Sequence, residues 1–139
     1  MSTIIRPELS KKNKYWIDRH RYYELKHFCM QYPLWKKLYL TLDGWGKKPE
    51  NLEFISKMNE YGDPTARCAM DKAYFSERIE MIERAAADAD PELASYILEG
   101  VTKGIAYDHL KARLDIPCCK DTYYDRYRRF FWLLSKMRQ

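Results

Sequence analysis

The chain has 139 residues, enough for one domain with a hydrophobic core. Hydrophobic residues make up 46% of it, which excludes general disorder, and no apolar run approaches the roughly 18 residues that a membrane span needs. Residues 1–48 hold 11 basic and 4 acidic side chains, residues 49–99 hold 5 and 12, and residues 120–139 hold 6 and 2. A chain with basic ends and an acidic middle is typical of a protein whose termini bind a polyanion. The same charge runs also occur on solvated helix faces.

The first 44 residues predict a helical hairpin behind a basic arm. Residues 1–13 lack an uninterrupted apolar core, so we expect a loose arm and no signal peptide. Between Lys14 and Met30, aromatic and apolar residues recur at three- and four-residue steps, which predicts a helix. Pro33 ends that helix or opens the next one, which closes at Gly44 and carries Leu34, Leu38 and Leu42. We expect the two helices to pack through their aromatic residues.

The middle of the chain predicts one long helix. Residues 44–63 indicate a loop with a short helical stretch. Asp63 as N-cap and Pro64 at the first helical position then start a helix that runs to about Ala89. We expect its apolar side to be formed by Ala69, Phe75, Ile79, Ile82 and Ala86.

A further helix leads into the C-terminal third. Asp90 and Pro91 repeat the start signal and predict a helix that stops at Gly104. No segment alternates strictly enough to indicate a strand, so we expect an all-α protein. We divide it into an N-terminal helical module, residues 1–62, and a C-terminal helical module, residues 63–139.

The last third predicts a helix-turn-helix. Leu110, Leu114 and Ile116 form one apolar face. A turn follows at Pro117, and a second helical period starts near Lys120. In a helix-turn-helix the first helix braces the second, whose N-terminal end enters the major groove of DNA. The alternative is an amphipathic C-terminal helix of a bundle, because a single sequence readily gives such patterns.

Residues 120–137 separate into two faces on a helical wheel. The apolar face consists of Tyr123, Tyr124, Tyr127, Phe130, Phe131 and Leu134. The opposite face, with Arg128 at its border, holds Thr122, Asp125, Arg126, Arg129 and Lys136. The first face is expected to pack on the preceding helices and the second to meet DNA.

The basic face supplies the candidate DNA-binding residues. Because a guanidinium is a rigid fork of donors, we predict that Arg126 and Arg129 contact base edges. Lys120 and Thr122 lie at the helix start, where the free amides also favour phosphate. The residues expected on phosphate are Lys120, Arg128, Lys136 and Arg138. Asp121 and Asp125 place negative charge near the same surface, either as acceptors for cytosine or as stabilisers of the helix N-terminus.

Three segments of the C-terminal half are informative together: residues 63–74 (DPTARCAMDKAY), the following helix with residues 79–83 (IEMIE), and the block from Gly104 to Leu134. On these segments the chain resembles the RinA/ArpU-like phage transcriptional regulators. Members of that group end in a helix-turn-helix similar to region 4 of a sigma factor. The resemblance implies binding of double-stranded DNA and control of phage late genes in the cytoplasm of a bacterial host, with host RNA polymerase as a second partner.

No pattern in the sequence indicates an enzyme, a cofactor or a metal site. The spacing of the cysteines and histidines does not match a zinc motif, and the four cysteines are too few for a disulfide framework. Nucleotide-binding loops and nucleophile elbows are also missing from the sequence. We therefore expect free thiols, a cytoplasmic location, no cofactor and no catalytic activity.

Two questions stay open on the sequence alone. The competing function is a phage-encoded interaction protein that binds a host protein, such as polymerase or a defence nuclease, without touching DNA. The aromatic N-terminal half, the acidic middle and Trp132 near the polar face motivate it. For the oligomeric state we predict a homodimer, because helix-turn-helix proteins usually pair two copies on DNA. A sigma-like protein is the exception, since polymerase supplies the remaining contacts.

Overall fold

The computed structural model describes residues 13–42 and 64–138, with the backbone alone for Pro64 and Thr65. These residues contain helices and no strand, which confirms the all-α prediction. The helices are α1 (Arg19–Met30), α2 (Tyr32–Leu42), α3 (Pro64–Ala89), α4 (Ala94–Lys103), α5 (Tyr107–Leu114) and α6 (Lys120–Met137). None of these six is long and apolar enough to cross a membrane. The expected cap at Asp63, the loop before it and the module boundary at residues 62–63 lie outside the described residues.

Helix α1 begins five residues later than the sequence periodicity predicts. Asp18 has an extended backbone, and its carboxylate accepts a hydrogen bond from the His20 amide at 3.0 Å. Such a cap satisfies one of the amides that a helix start leaves without a partner. The start expected at Lys14 is therefore wrong, because the apolar residues before Asp18 belong to a non-helical segment. Gln31 alone separates α1 from α2.

Helix α3 has the bounds that the sequence predicts, from Pro64 to Ala89. The apolar residues expected on one side of it are buried from Phe75 onwards, whereas Ala69 is exposed.

The next helix starts later than expected: the Asp90 carboxylate accepts hydrogen bonds from the amides of Glu92 and Leu93 and closes a turn. Helix α4 consequently begins at Ala94. It ends as predicted before Gly104, which has the left-handed conformation (φ 67°) that glycine adopts without strain.

The chain forms two compact units. One unit comprises residues 32–80, that is α2 and the first two thirds of α3. Within it, the Cys68 thiol donates to the Leu42 carbonyl at 3.7 Å. An open, mostly apolar cavity of about 330 Å³ is lined there by Lys36, Tyr39, Leu40, Ser76, Ile79 and Glu80.

The other unit comprises residues 1–31 and 81–139 and holds every candidate DNA-binding residue. Helix α4 lies at its centre and contacts α1, α5 and α6, while α1 also packs on α6. The unit is closed by aromatic contacts: the rings of Tyr22 and Phe131 are 5.1 Å apart, and the hydroxyls of Tyr22 and Tyr127 share a hydrogen bond of 2.7 Å. Its fully buried side chains include Tyr22, Leu25, Ile82, Ile97, Leu110, Ile116, Tyr123, Phe130, Phe131 and Leu134.

Candidate nucleic-acid interface

The start of α5 is fastened to the start of α6. The Tyr107 amide donates to the Tyr124 hydroxyl at 3.3 Å, and the Tyr107 hydroxyl donates to the Cys118 carbonyl at 2.6 Å. The rings of Tyr107 and Tyr123 lie 5.8 Å apart. These contacts hold the first turn of α6 against α5, although 12 residues separate the two starts.

The connection between α5 and α6 turns at Asp115. This residue has a left-handed backbone (φ 49°, ψ 52°) and ends α5. The Lys111 ammonium group donates to the Ile116 carbonyl at 3.3 Å and pairs with the Asp115 carboxylate at 3.3 Å. Leu110 and Ile116 are buried as predicted, but Leu114 is 45% exposed. Leu114 therefore does not belong to the buried face of α5, contrary to the prediction. It is the last residue of the helix, and the chain turns directly after it at Asp115.

The buried face of α6 agrees with the helical wheel. Tyr123, Tyr124, Phe130, Phe131 and Leu134 are buried, while Tyr127 is partly so. Burial raises the pKa of Tyr127 well above its usual value. Cys119 precedes the helix with an extended backbone, and the helix starts at Lys120 as predicted. The opposite face is therefore fixed relative to the core.

The C-terminal end of α6 is occupied by contacts with α1 and with the segment ahead of it. The Arg21 guanidinium donates to the Ser135 hydroxyl and carbonyl at 3.1 and 3.0 Å. Arg138 forms an ion pair with Glu24 and lies over the ring of Phe28. This arrangement joins the two ends of the described chain.

Two of the residues predicted to contact phosphate, Lys136 and Arg138, lie at this C-terminal end of α6. Arg138 is paired as just described, and the Lys136 ammonium lies 3.3 Å above the Trp132 ring. Trp132 also packs on Tyr15, with 5.5 Å between the ring centres. At 1.5 Å per residue, Lys136 lies about 24 Å along α6 from Lys120, too far to join its N-terminal turns at one phosphate. The structure does not bring Lys136 and Arg138 together with the other candidates.

Arg126 is engaged within the chain. Its Nε donates to the Asp90 carboxylate at 3.1 Å, and its Nη1 donates to the Asp125 carboxylate at 2.5 Å. The hydrogen bond to Asp90 is the main cause that raises the pKa of the Arg126 guanidinium. The sequence-based role of Arg126 as a base contact therefore competes with a role in holding α6 against the turn that precedes α4.

The remaining candidates on α6 are available for a ligand. Lys120, Arg128 and Arg129 form no ion pair or hydrogen bond with any residue in the described ranges. The Nε atom of Arg129 is buried and has no hydrogen-bond partner there. The Thr122 side chain is exposed, and its hydroxyl lies 3.2 Å from the Cys119 thiol. These four residues lie in the first ten positions of the helix.

Sequence reasoning missed two residues of this surface. Arg113 is exposed in the last turn of α5 and also lacks a partner among the described residues. Its position directly ahead of the predicted turn was the signal that could have found it. Asp90 was predicted as part of a helix start, and nothing in the sequence joins it to Arg126, which lies 36 residues further along.

The cysteines are free thiols, and those near the interface differ in their environments. The Thr122 hydroxyl is the main cause that lowers the pKa of the exposed Cys119 thiol. Burial is the main cause that raises the pKa of Cys118 and, far more, that of Cys29. In the parts of the chain that the structure describes, no three histidine, cysteine or acidic side chains cluster as a metal site would require.

No protein-family model, no curated protein and no solved structure matches this chain. The resemblance to the RinA/ArpU-like regulators accordingly stays a prediction, and the functional argument depends on the geometry above.

Proposed function

We propose that the protein is a phage or prophage transcriptional regulator that binds double-stranded DNA through a helix-turn-helix formed by α5 and α6. The observation that carries the proposal is the pair Arg128 and Arg129, which have no intrachain partner in the described residues and lie in the middle of α6, two turns after Lys120 and Thr122. Helix-turn-helix proteins lay the second helix in the major groove with its N-terminal residues on base edges.

The connection between the two helices supports the same assignment. A left-handed residue at Asp115 followed by the buried Ile116 provides the sharp turn that lets the first helix brace the second. In this arrangement Arg129 and Thr122 face base edges, while Arg113, Lys120 and Arg128 contact phosphates. Arg side chains suit both tasks because their fork of donors binds guanine or phosphate in a bidentate manner.

The competing hypothesis of a protein-binding function has lost one of its motivations. Trp132 packs on Tyr15 and beneath Lys136, so its place near the polar face of α6 is explained within the chain. The resemblance implies contact with host RNA polymerase and a location in the bacterial cytoplasm, and our proposal includes both.

The test compares a double variant, Arg128→Ala with Arg129→Ala, against Arg84→Ala. Arg84 is an exposed arginine of α3 with no partner in the described residues, so its loss removes one positive charge outside the candidate interface, against two in the double variant. Affinity for promoter fragments of the source genome is measured by fluorescence anisotropy over a salt series, and helical content by circular dichroism.

We expect the double variant to lose at least tenfold in affinity with unchanged helicity. Its plot of log K against log salt becomes shallower by about 0.9 per bound copy, because the loss of Arg128 removes one phosphate contact and each such contact contributes roughly 0.9. Arg84→Ala keeps the wild-type slope. Equal losses in the two variants, or no duplex binding by the wild type at low salt, contradict the proposal.

A further inference from the structure

A chain of charged hydrogen bonds leads from the turn before α4 to the outer face of α6. Both oxygens of the Asp90 carboxylate are used: Oδ1 accepts from the amides of Glu92 and Leu93 at 3.0 and 3.3 Å, and Oδ2 accepts from Arg126 Nε at 3.1 Å. Arg126 then donates from Nη1 to Asp125 Oδ2 at 2.5 Å. The Asp125 carboxylate is thereby held by a group that is itself fixed to the backbone of another element.

The second oxygen of Asp125 is left open to a ligand. The side chain of Asp125 is 41% exposed and lies on the helix face opposite the buried tyrosines. Its Oδ1 accepts no hydrogen bond from the residues that the structure describes. One turn further along the same face lies Arg129, whose side chain has no ion-pair partner there either. The outer face thus presents one fixed acceptor beside a fork of donors.

A carboxylate at this position restricts the nucleic acid that the helix accepts. It is repelled by phosphate, and most atoms at the base edges of the major groove are acceptors that it cannot approach. The donors there are the N4 amino group of cytosine and the N6 amino group of adenine, and the adenine amino group stands beside the acceptor N7. Because Arg126 compensates the charge of Asp125, the repulsion by phosphate is reduced while the open oxygen keeps its direction.

We propose that Asp125 is a specificity-determining residue that accepts a hydrogen bond from the N4 amino group of a cytosine in the major groove. This inference rests on the proposed DNA-binding function and goes beyond it by naming one base. Arg126 is its positioning residue, fixed by Asp90. The recognised site therefore contains a cytosine whose replacement by any other base weakens binding.

The test is a selection of bound duplexes from a randomised pool, performed with the wild type, Asp125→Asn and Asp88→Asn. The asparagine keeps the size of the side chain and an acceptor for Arg126. Asp88 is an exposed acidic residue near the end of α3, and its replacement changes the net charge equally. The full-length protein is used, and the affinity of each variant is then measured on the selected duplex with each of the four base pairs at every position.

We expect the wild type and Asp88→Asn to select a site with one invariant cytosine that Asp125→Asn no longer requires. A base contact of this kind discriminates by roughly 5- to 150-fold, and this ratio falls close to 1 in Asp125→Asn at that position alone. Arg126→Lys, which keeps the charge but not the bidentate fork, lowers the ratio at the same position and leaves the salt dependence unchanged.

Three results overturn the inference. If Asp125→Asn binds every duplex more tightly by one common factor, Asp125 acts only by repelling phosphate. If the wild type binds duplexes without preferring any base, DNA binding stands but Asp125 reads none. If the wild type binds no duplex even at low salt, the proposed function itself has failed, and the inference falls with it.

Discussion

The hydroxyl of Tyr123 packs closely against α4. It is buried, has no hydrogen-bond partner in the described residues, and lies against Gly100 of α4, where an added Cβ would be 2.2 Å away. Burial raises the pKa of this phenol strongly. The close approach of the Tyr123 hydroxyl therefore favours glycine at position 100.

This contact predicts strong coupling in a double-mutant cycle. Gly100→Ala destabilises the protein by roughly 1–3 kcal/mol because the Tyr123 hydroxyl occupies the space of the new methyl group. In a Tyr123→Phe background the same change costs less, although the Ile105 carbonyl oxygen still lies 3.3 Å from the added Cβ. Tyr123→Phe alone costs nothing or stabilises, because it removes an unsatisfied buried hydroxyl. Urea denaturation of the four proteins checks this, and additive effects would contradict the contact.

The thiols beside the candidate interface predict an order of chemical reactivity. Cys119 is exposed with a lowered pKa, Cys118 has a raised pKa, and Cys29 is fully buried. Since the thiolate is the nucleophile, iodoacetamide modifies Cys119 first, and its rate persists to lower pH than that of Cys118. Cys29 reacts only on unfolding. Mass spectrometry of the peptides over time, with a urea-unfolded control, measures the order, and a faster Cys118 would contradict it.

Among the elements, the connection between α5 and α6 depends on the conformation of Asp115. A left-handed backbone costs most residues roughly 1–2 kcal/mol, but aspartate and asparagine tolerate it. The side chain is 92% exposed, so substitutions there do not disturb the core. We expect Asp115→Val to lower the free energy of unfolding by about 1–2 kcal/mol and Asp115→Asn to change it by less than about 0.5 kcal/mol.

The asparagine variant is also the control for charge. It removes the ion pair with Lys111 while keeping the tolerated conformation. Thermal unfolding of both variants separates the two effects: equal losses would show that the ion pair, and not the backbone, stabilises the turn.

Periodicity and start signals predicted most elements, and the exceptions have local causes. The bounds of α3, the end of α4 at Gly104 and the start of α6 at Lys120 depend on residues adjacent in sequence, so the sequence was sufficient. The start of α1 was misplaced because the Asp18 cap competes with an apolar pattern that continues before it. Likewise, Asp90 closes a turn of its own before α4 can begin.

The sequence predicted which residues form the candidate site, but not which of them already have partners within the chain. The wheel correctly separated the buried tyrosines of α6 from its charged face. It could not show that Arg126 and Arg138 already have partners, because Asp90 and Glu24 lie far from them in the sequence. The contact of Lys136 with Trp132 is local, since the two residues are four positions apart on one helix.

At the scale of the whole molecule, the unit that holds the candidate interface is built from both ends of the chain. The Arg21, Glu24 and Arg138 cluster joins α1 to the end of α6. The C-terminal end of α6 is thereby anchored to α1, while Tyr107 holds its N-terminal end against α5. A helix fixed at both ends by its own chain can present its exposed face rigidly, which DNA reading requires.

The number of available cations predicts how binding depends on salt. The cations without a partner in the described residues of α5 and α6 are Arg113, Lys120, Arg128 and Arg129. Three of them, Arg113, Lys120 and Arg128, are proposed to contact phosphate, which gives a slope of about −2.7 in log K against log salt for one copy and about −5.4 for two. Raising salt fourfold then weakens binding by roughly 40-fold or roughly 2 × 10³-fold, respectively.

We predict the steeper dependence, because a single recognition helix seldom reaches useful specificity and two copies spaced by one DNA turn do. Sedimentation of the free protein at micromolar concentration then gives a dimer. Arg128→Ala with Arg129→Ala supplies an internal calibration: because Arg128 is its phosphate contact, it makes the slope shallower by about 1.8 if two copies bind and by about 0.9 if one does. A monomer in sedimentation with the smaller change contradicts the homodimer. That result would indicate the sigma-like mode, in which polymerase provides the contacts that a second copy would otherwise supply.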